Sequence, residues 1–247
     1  MSQQQKTDAK TQTEKFRIVF AIFPGMTHLD FTGPHQFLSR TPHSEVIVAS
    51  PAGGPVEADG LTFAGTVKIS DVDRCDLICV PGGVAATKVA LDQAFVGDIR
   101  RLALGAKYIT SVCTGSLILA ATGLLKDKRA ACHWAYRDLL PLFGVIPDPA
   151  RVARDGNIIT GGGVTAGIDF ALTVLAEIAG EETAKTIQLG LEYAPAPPFD
   201  SGRPELASPE IRARYDYVMQ AMMPTRLAEA KEAAGRLMAE AGSAVRS

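Results

Sequence analysis

Hydrophobic positions along this chain follow two rhythms. The first is a series of short apolar runs, each stopped by Gly, Pro or Asp. Residues 16–23 (FRIVFAIF) are β-branched and aromatic and end at Pro24-Gly25, the pattern of a strand buried on both faces. Comparable runs at 45–49, 76–80 and 107–112 predict further strands, the second stopped by Pro81-Gly82-Gly83. After the turn-rich 51–55, residues 61–69 read as a short hairpin. A short strand is expected at 130–132. Runs at 151–154 and 157–160 flank Asp155-Gly156, a pair that favours a tight antiparallel turn.

The second rhythm is helical. Phe95, Ile99, Leu102 and Ala103 share one face of a predicted helix over 95–104. Thr32-Gly33-Pro34 predicts a helix start, with Thr32 as its cap and Pro34 in the first turn. Further helices are expected at 115–121, 134–142, 166–179 and 181–191. Strands alternating with helices predict an α/β sandwich around a mostly parallel sheet. Beyond a Pro-rich stretch at 194–198, residues 209–242 are rich in Ala, Glu, Arg and Met, and Pro224 interrupts them. That pattern predicts two helices outside the sheet. They read either as an arm on the domain or its dimer mate, or as a solvated amphipathic pair.

The first fifteen residues are polar and read as a disordered tail without the apolar core of a secretory signal. No apolar run approaches the ~20 residues that span a bilayer, so no membrane contact and a cytoplasmic location are expected. Lys plus Arg is 25 against 27 for Asp plus Glu, which argues against nucleic-acid binding by bulk charge. The four cysteines are too scattered for a disulfide scaffold. Cys75-x-x-x-Cys79 has no second ligand pair nearby, so no metal site is expected.

One cysteine differs in setting. In Tyr108-Ile-Thr-Ser-Val-Cys113-Thr-Gly-Ser, a predicted buried strand runs straight into a predicted helix with a reactive residue at the joint. Ser111 and Gly115 supply the small flanking residues that a nucleophile elbow needs. A helix N-terminus at the sulfur would favour the thiolate. Cys75, Cys79 and Cys132 read as packing residues. None of the four histidines lies beyond residue 133, so a downstream catalytic histidine of the glutaminase type is missing. His133 admits a structural or a supporting role. Asp30, just beyond the first strand, falls on the same sheet edge as Cys113, where open α/β folds build sites. It suits either a general acid/base or a helix-start acid. Thr114 suits a hydrogen bond to the sulfur or carboxylate, or a helix cap. Gly161-Gly-Gly-Val-Thr-Ala166 matches a dinucleotide fingerprint in spacing, with Glu181 about twenty residues on, but helix rather than strand is expected to follow. It reads better as a pocket wall near the cysteine.

The elbow Ser-Val-Cys113-Thr-Gly-Ser, the strand end Leu-Asp30-Phe-Thr-Gly-Pro and the loop Pro81-Gly-Gly together resemble the DJ-1/PfpI superfamily. His133-Trp-Ala-Tyr, the stretch from Asp155 through Asp169 to Leu172, and 191–199 are similar to its isonitrile (isocyanide) hydratase branch. The resemblance covers 16–199 and extends loosely over the helical extension at 200–247. It implies a flavodoxin-like three-layer fold, usually homodimeric. It also implies Cys113 as nucleophile, Asp30 as acid/base, and a cofactor-free, metal-free hydration of a small apolar isocyanide in a mostly apolar pocket. Many superfamily members place a Glu near the thiol, or a His after the cysteine. Asp30 and Thr114 stand there in this chain, as in the hydratase branch. A DJ-1-like redox sensor, a ligand-sensing domain and another cysteine-elbow hydratase or hydrolase are the competing readings.

Overall fold

The computed structural model describes residues 14–244, with the side chains of 241, 243 and 244 left aside. The leader expected over 1–15 therefore lies mostly outside the described residues. Its end is engaged, because Glu14 pairs with Arg74.

Eight strands form the main sheet: β1 (Phe16–Ala21), β2 (Ser44–Ser50), β3 (Gly54–Ala58), β4 (Leu61–Lys68), β5 (Leu77–Val80), β6 (Tyr108–Val112), β9 (Val152–Asp155) and β10 (Ile158–Gly161). Their order is β3-β4-β2-β1-β5-β6-β10-β9. The interior is parallel, from β4 through β2, β1, β5 and β6 to β10. Only the edge partners β3 and β9 run antiparallel. A small parallel pair, β7 (Arg129–Ala131) and β8 (Ile146–Asp148), stands beside it. The central strands are the continuous apolar runs of the sequence, and Ile18, Phe20, Leu77, Ile78, Val80 and Val112 are buried.

Helices α1 (His28–Leu38) and α5 (Ala166–Ala179) pack together, and α6 (Glu181–Gly190) joins α5. The helix α4 (Gly115–Ala121) packs with the short α2 (Ala86–Val89) and with α3 (Gln93–Gly105), and α3 and α4 lie against β5. The result is the expected three-layer α/β fold.

Four expectations shift. α1 begins at His28, a turn before Thr32. Thr32 is no cap: its hydroxyl donates back to the His28 carbonyl, as threonines inside helices do. The hairpin expected at 61–69 comprises β3 and β4, turning at Asp59-Gly60 where both φ angles are positive. The helix expected at 134–142 is a turn followed by a 3₁₀ segment, Arg137–Phe143. Pro141 removes one donor there, and left-handed Gly144 ends the segment.

The fourth is the largest. The C-terminal extension is one helix, α7 (Pro209–Ala244), which runs through Pro224. Proline costs one ladder bond and fits a helical φ. Burial on both sides of it, through Met219, Ala230, Ala233 and Ala234, offsets the loss. α7 lies over α2, α4 and the 3₁₀ segment. No described helix is long and apolar enough to cross a membrane.

Candidate active site

Three loops meet at the carboxyl ends of β1, β5 and β6. Cys113 follows β6 and precedes α4. Its φ is +59°, a left-handed conformation costly for a residue with a side chain. The strain is held from both sides. Cys113 N donates to the Gly161 carbonyl at the end of β10, at 3.0 Å. On the other side Gly115 lies so close to β5 that a methyl group there would stand 2.1 Å from the Val80 carbonyl oxygen.

The Pro81-Gly82-Gly83 loop ties the pieces together. Gly82 N donates to Asp30 Oδ2 at 3.0 Å, and the Gly82 carbonyl takes the Thr27 N–H at 2.9 Å. Gly83 N donates to Thr114 Oγ1 at 2.8 Å, and that hydroxyl donates to the Gly83 carbonyl at 3.1 Å. A side chain at Gly82 would collide with Thr114, its Cβ 2.4 Å from the Thr114 nitrogen. Thr114 thus clamps the loop to the elbow. It neither caps α4 nor holds the sulfur.

Asp30 sits in the first turn of α1 and is fully buried. Its Oδ1 faces no N–H or O–H donor. The Cys113 thiol lies near enough to favour the ionised carboxyl. Burial raises the carboxyl from its ordinary 3.8 to about 7, against the opposing pull of Cys113 and the Gly82 N–H. The fold therefore brings Asp30 and Cys113 together.

The thiolate expected from the helix N-terminus is not what the site provides. Burial, then the charge of Asp30, pushes the Cys113 thiol well above its ordinary value, and the Thr114 N–H only partly offsets this. Burial also pushes Cys75, Cys79 and Cys132 up to about 12. Cys113 is distinguished by geometry and by its carboxyl partner, not by acidity.

His133 has local, structural contacts. Its Nδ1 accepts the Ala135 N–H at 3.3 Å, its ring stacks on Trp134 with centroids 5.8 Å apart, and burial lowers its pKa. The triple glycine leads from β10 to α5, which begins at Ala166. A Cβ on Gly161 would press on Phe170 at 3.3 Å, so the turn is packed on its own helix beside the cysteine.

Two features had no sequence signal. Cys132 lies close enough to Cys113 for charge on one to be felt at the other. The groove beside them, about 720 Å³, sets Arg129, Arg137, Arg151 and Arg203 among apolar side chains such as Trp134, Val164 and Leu206. Only the fold gathers residues so far apart in the chain. Among the described residues no cluster of His, Cys, Asp and Glu could hold a metal ion.

The chain was compared with known proteins. It is 50% identical over 192 residues to the isonitrile hydratase of Pseudomonas putida, covering 77% of this chain and 84% of that protein. It is 30% identical over 176 residues to the HTH-type transcriptional regulator CdhR of Pseudomonas aeruginosa, covering 67% of this chain and 51% of the regulator. A crystal structure of a ThiJ/PfpI family protein from Pseudomonas syringae superposes with a TM-score of 0.84 at 34% identity, covering 95% of this chain and 97% of that one. The DJ-1/PfpI family model matches residues 16–177, through both strand ends that carry Asp30 and Cys113, and the chain belongs to the DJ-1/PfpI family.

Proposed function

We propose that this protein is an isonitrile hydratase, adding water to R–N≡C to give the formamide R–NH–CHO. The observation that carries the reading is the buried pairing of Asp30, titrating near pH 7, with the thiol of Cys113. The half-identity to the Pseudomonas putida enzyme accords with it.

The pairing suits a reaction that moves three protons at one carbon. The resting thiol is protonated, and ionised Asp30 takes its proton as sulfur attacks the isonitrile carbon. Asp30 returns that proton to the same carbon, giving the thioimidate R–N=CH–S–Cys113. Water then adds: Asp30 takes one of its protons for the nitrogen, and the hydroxyl binds carbon. The intermediate collapses to the formamide, and the hydroxyl proton returns through Asp30 to the departing sulfur. Atoms balance with no change of oxidation state. Thr114 acts by fixing the Gly83 loop, and so the distance between the two reacting groups.

The competent form has Asp30 ionised and Cys113 protonated. Activity therefore rises as pH passes about 7. The test is a formamide assay on alkyl and aryl isonitriles, with methylglyoxal and peptide amides as controls. Turnover of only the controls would overturn the reading. The regulator reading has less support, because identity to the regulator CdhR is 30% against 50% to the hydratase. We also propose a homodimer located in the cytoplasm, to be checked by sedimentation and cell fractionation. The four free thiols accord with that compartment.

A further inference from the structure

A hydrocarbon substrate needs an apolar pocket. The groove beside the elbow offers apolar walls and, with them, charge. Cys132 and the Gly162-Gly163-Val164 turn line it, so it runs to the edge of the nucleophile. Cys113 feels the charge of Cys132, and the turn follows the carbonyl that holds Cys113 N.

The state of the four arginines decides what the groove can bind. Arg129 is engaged by Asp148 at 2.8 Å. Arg151 pairs with Asp169 and donates to the Thr165 carbonyl. Arg137 is different. Its charge is felt at Asp148, but that carboxylate is bonded elsewhere: Oδ2 accepts both Arg129 Nε and Nη2, and Oδ1 accepts the Ala150 N–H. Arg137 is nevertheless close enough for its charge to be felt at the Cys132 thiol. Arg203 rises from the segment before α7, beyond the stretch that the family model covers, and is exposed. Neither Arg137 nor Arg203 has an ion-pair partner among the described residues, and the acids on this rim are Asp148, which Arg129 already engages, and exposed Glu205. Two guanidiniums without ion-pair partners, on a groove that also exposes the Cys132 thiol, form a carboxylate-recognising wall.

We infer that the substrates of this site carry an anion: isonitriles with a carboxylate a few bonds from the isonitrile carbon. Arg137 and Arg203 hold the carboxylate while the carbon meets Cys113. The inference rests on the hydratase reading for the reaction, and on the groove alone for the anion.

The test compares isocyanoacetate with its methyl ester on the full chain. The acid is expected to show a kcat/KM at least about tenfold higher than the ester, shrinking as salt is raised. The double variant R137Q/R203Q should lose most of that ratio through KM, and R137K/R203K should keep part of it. An ester as good as the acid, or a ratio unmoved in the glutamine variant, overturns the inference. If neither compound is hydrated, the hydratase reading fails and the groove is judged separately. Trp134, the single tryptophan of the chain, lines the groove and reports occupancy by fluorescence. N-formylglycine should shift its emission saturably and its methyl ester should not. No preference for the carboxylate overturns the inference whatever the reaction.

Discussion

Asp30→Asn separates stability from chemistry. The Asn carbonyl can still accept the Gly82 N–H, so the Asp30–Gly82 link survives. What disappears is a titration inside the core. The folded carboxyl titrates near 7 and the unfolded one near 3.8. Between those values the folded chain holds a proton that the unfolded chain has released. The stability contributed by the neutral acid is therefore full below pH 4 and is lost as pH rises through 7. At about 1.4 kcal/mol per pH unit, the loss is about 4 kcal/mol. The Asn variant does not titrate. It should match the native chain near pH 4 and exceed it by about 4 kcal/mol at pH 8, which is about 8–16 °C in Tm for a chain of this size. Urea unfolding of both proteins at several pH values measures the difference, in which all other titrations cancel. Formamide production by the variant should meanwhile fall to background. A stability difference that stays flat from pH 4 to 8 would refute the buried, proton-holding role of Asp30.

Three further outcomes are expected. Gly115→Ala should destabilise the fold by about 3 kcal/mol or more, because its Cβ meets backbone oxygens of Val80 and Pro81 that cannot rotate away; an unchanged urea midpoint would contradict this. Thr114→Val leaves the buried Gly83 N–H without its acceptor and should cost about 1–3 kcal/mol and most turnover, with Thr114→Ser restoring both. Cys113→Ala should keep the fold, by circular dichroism, and abolish hydration. Intact-mass spectra of the native protein quenched during turnover should show an adduct one substrate heavier, located on Cys113 by peptide mapping.

Much of the architecture is local and was legible in the chain. A strand buried on both faces must be apolar throughout, so β1, β5 and β6 announce themselves in the runs that include Phe20, Ile78 and Val112. The elbow was equally plain. The chain turns from strand to helix within two residues there, and only small neighbours such as Ser111 and Gly115 fit. Asp30 was placed by topology, since parallel strands deliver their carboxyl ends to one edge. The errors share a cause: local propensity was overruled by packing. Pro224 suggested a break, yet burial of the Ala230–Ala234 face carries α7 through it. Thr32 suited a cap, yet the Gly82 loop needs Asp30 already on the first turn of α1, so the helix starts earlier.

Acidity and specificity could not be read locally at all. A helix N-terminus implies an acidic thiol, but burial and the charge of Asp30 act in the opposite direction and dominate. The sequence by itself determined the order of elements and the identity of the thiol and carboxyl, because periodicity and tight turns depend on near neighbours. Only the tertiary structure decided that the carboxyl holds its proton to about pH 7 and that Arg137 and Arg203 share a groove with Cys132. Desolvation and charge act through space, between residues that the chain keeps far apart.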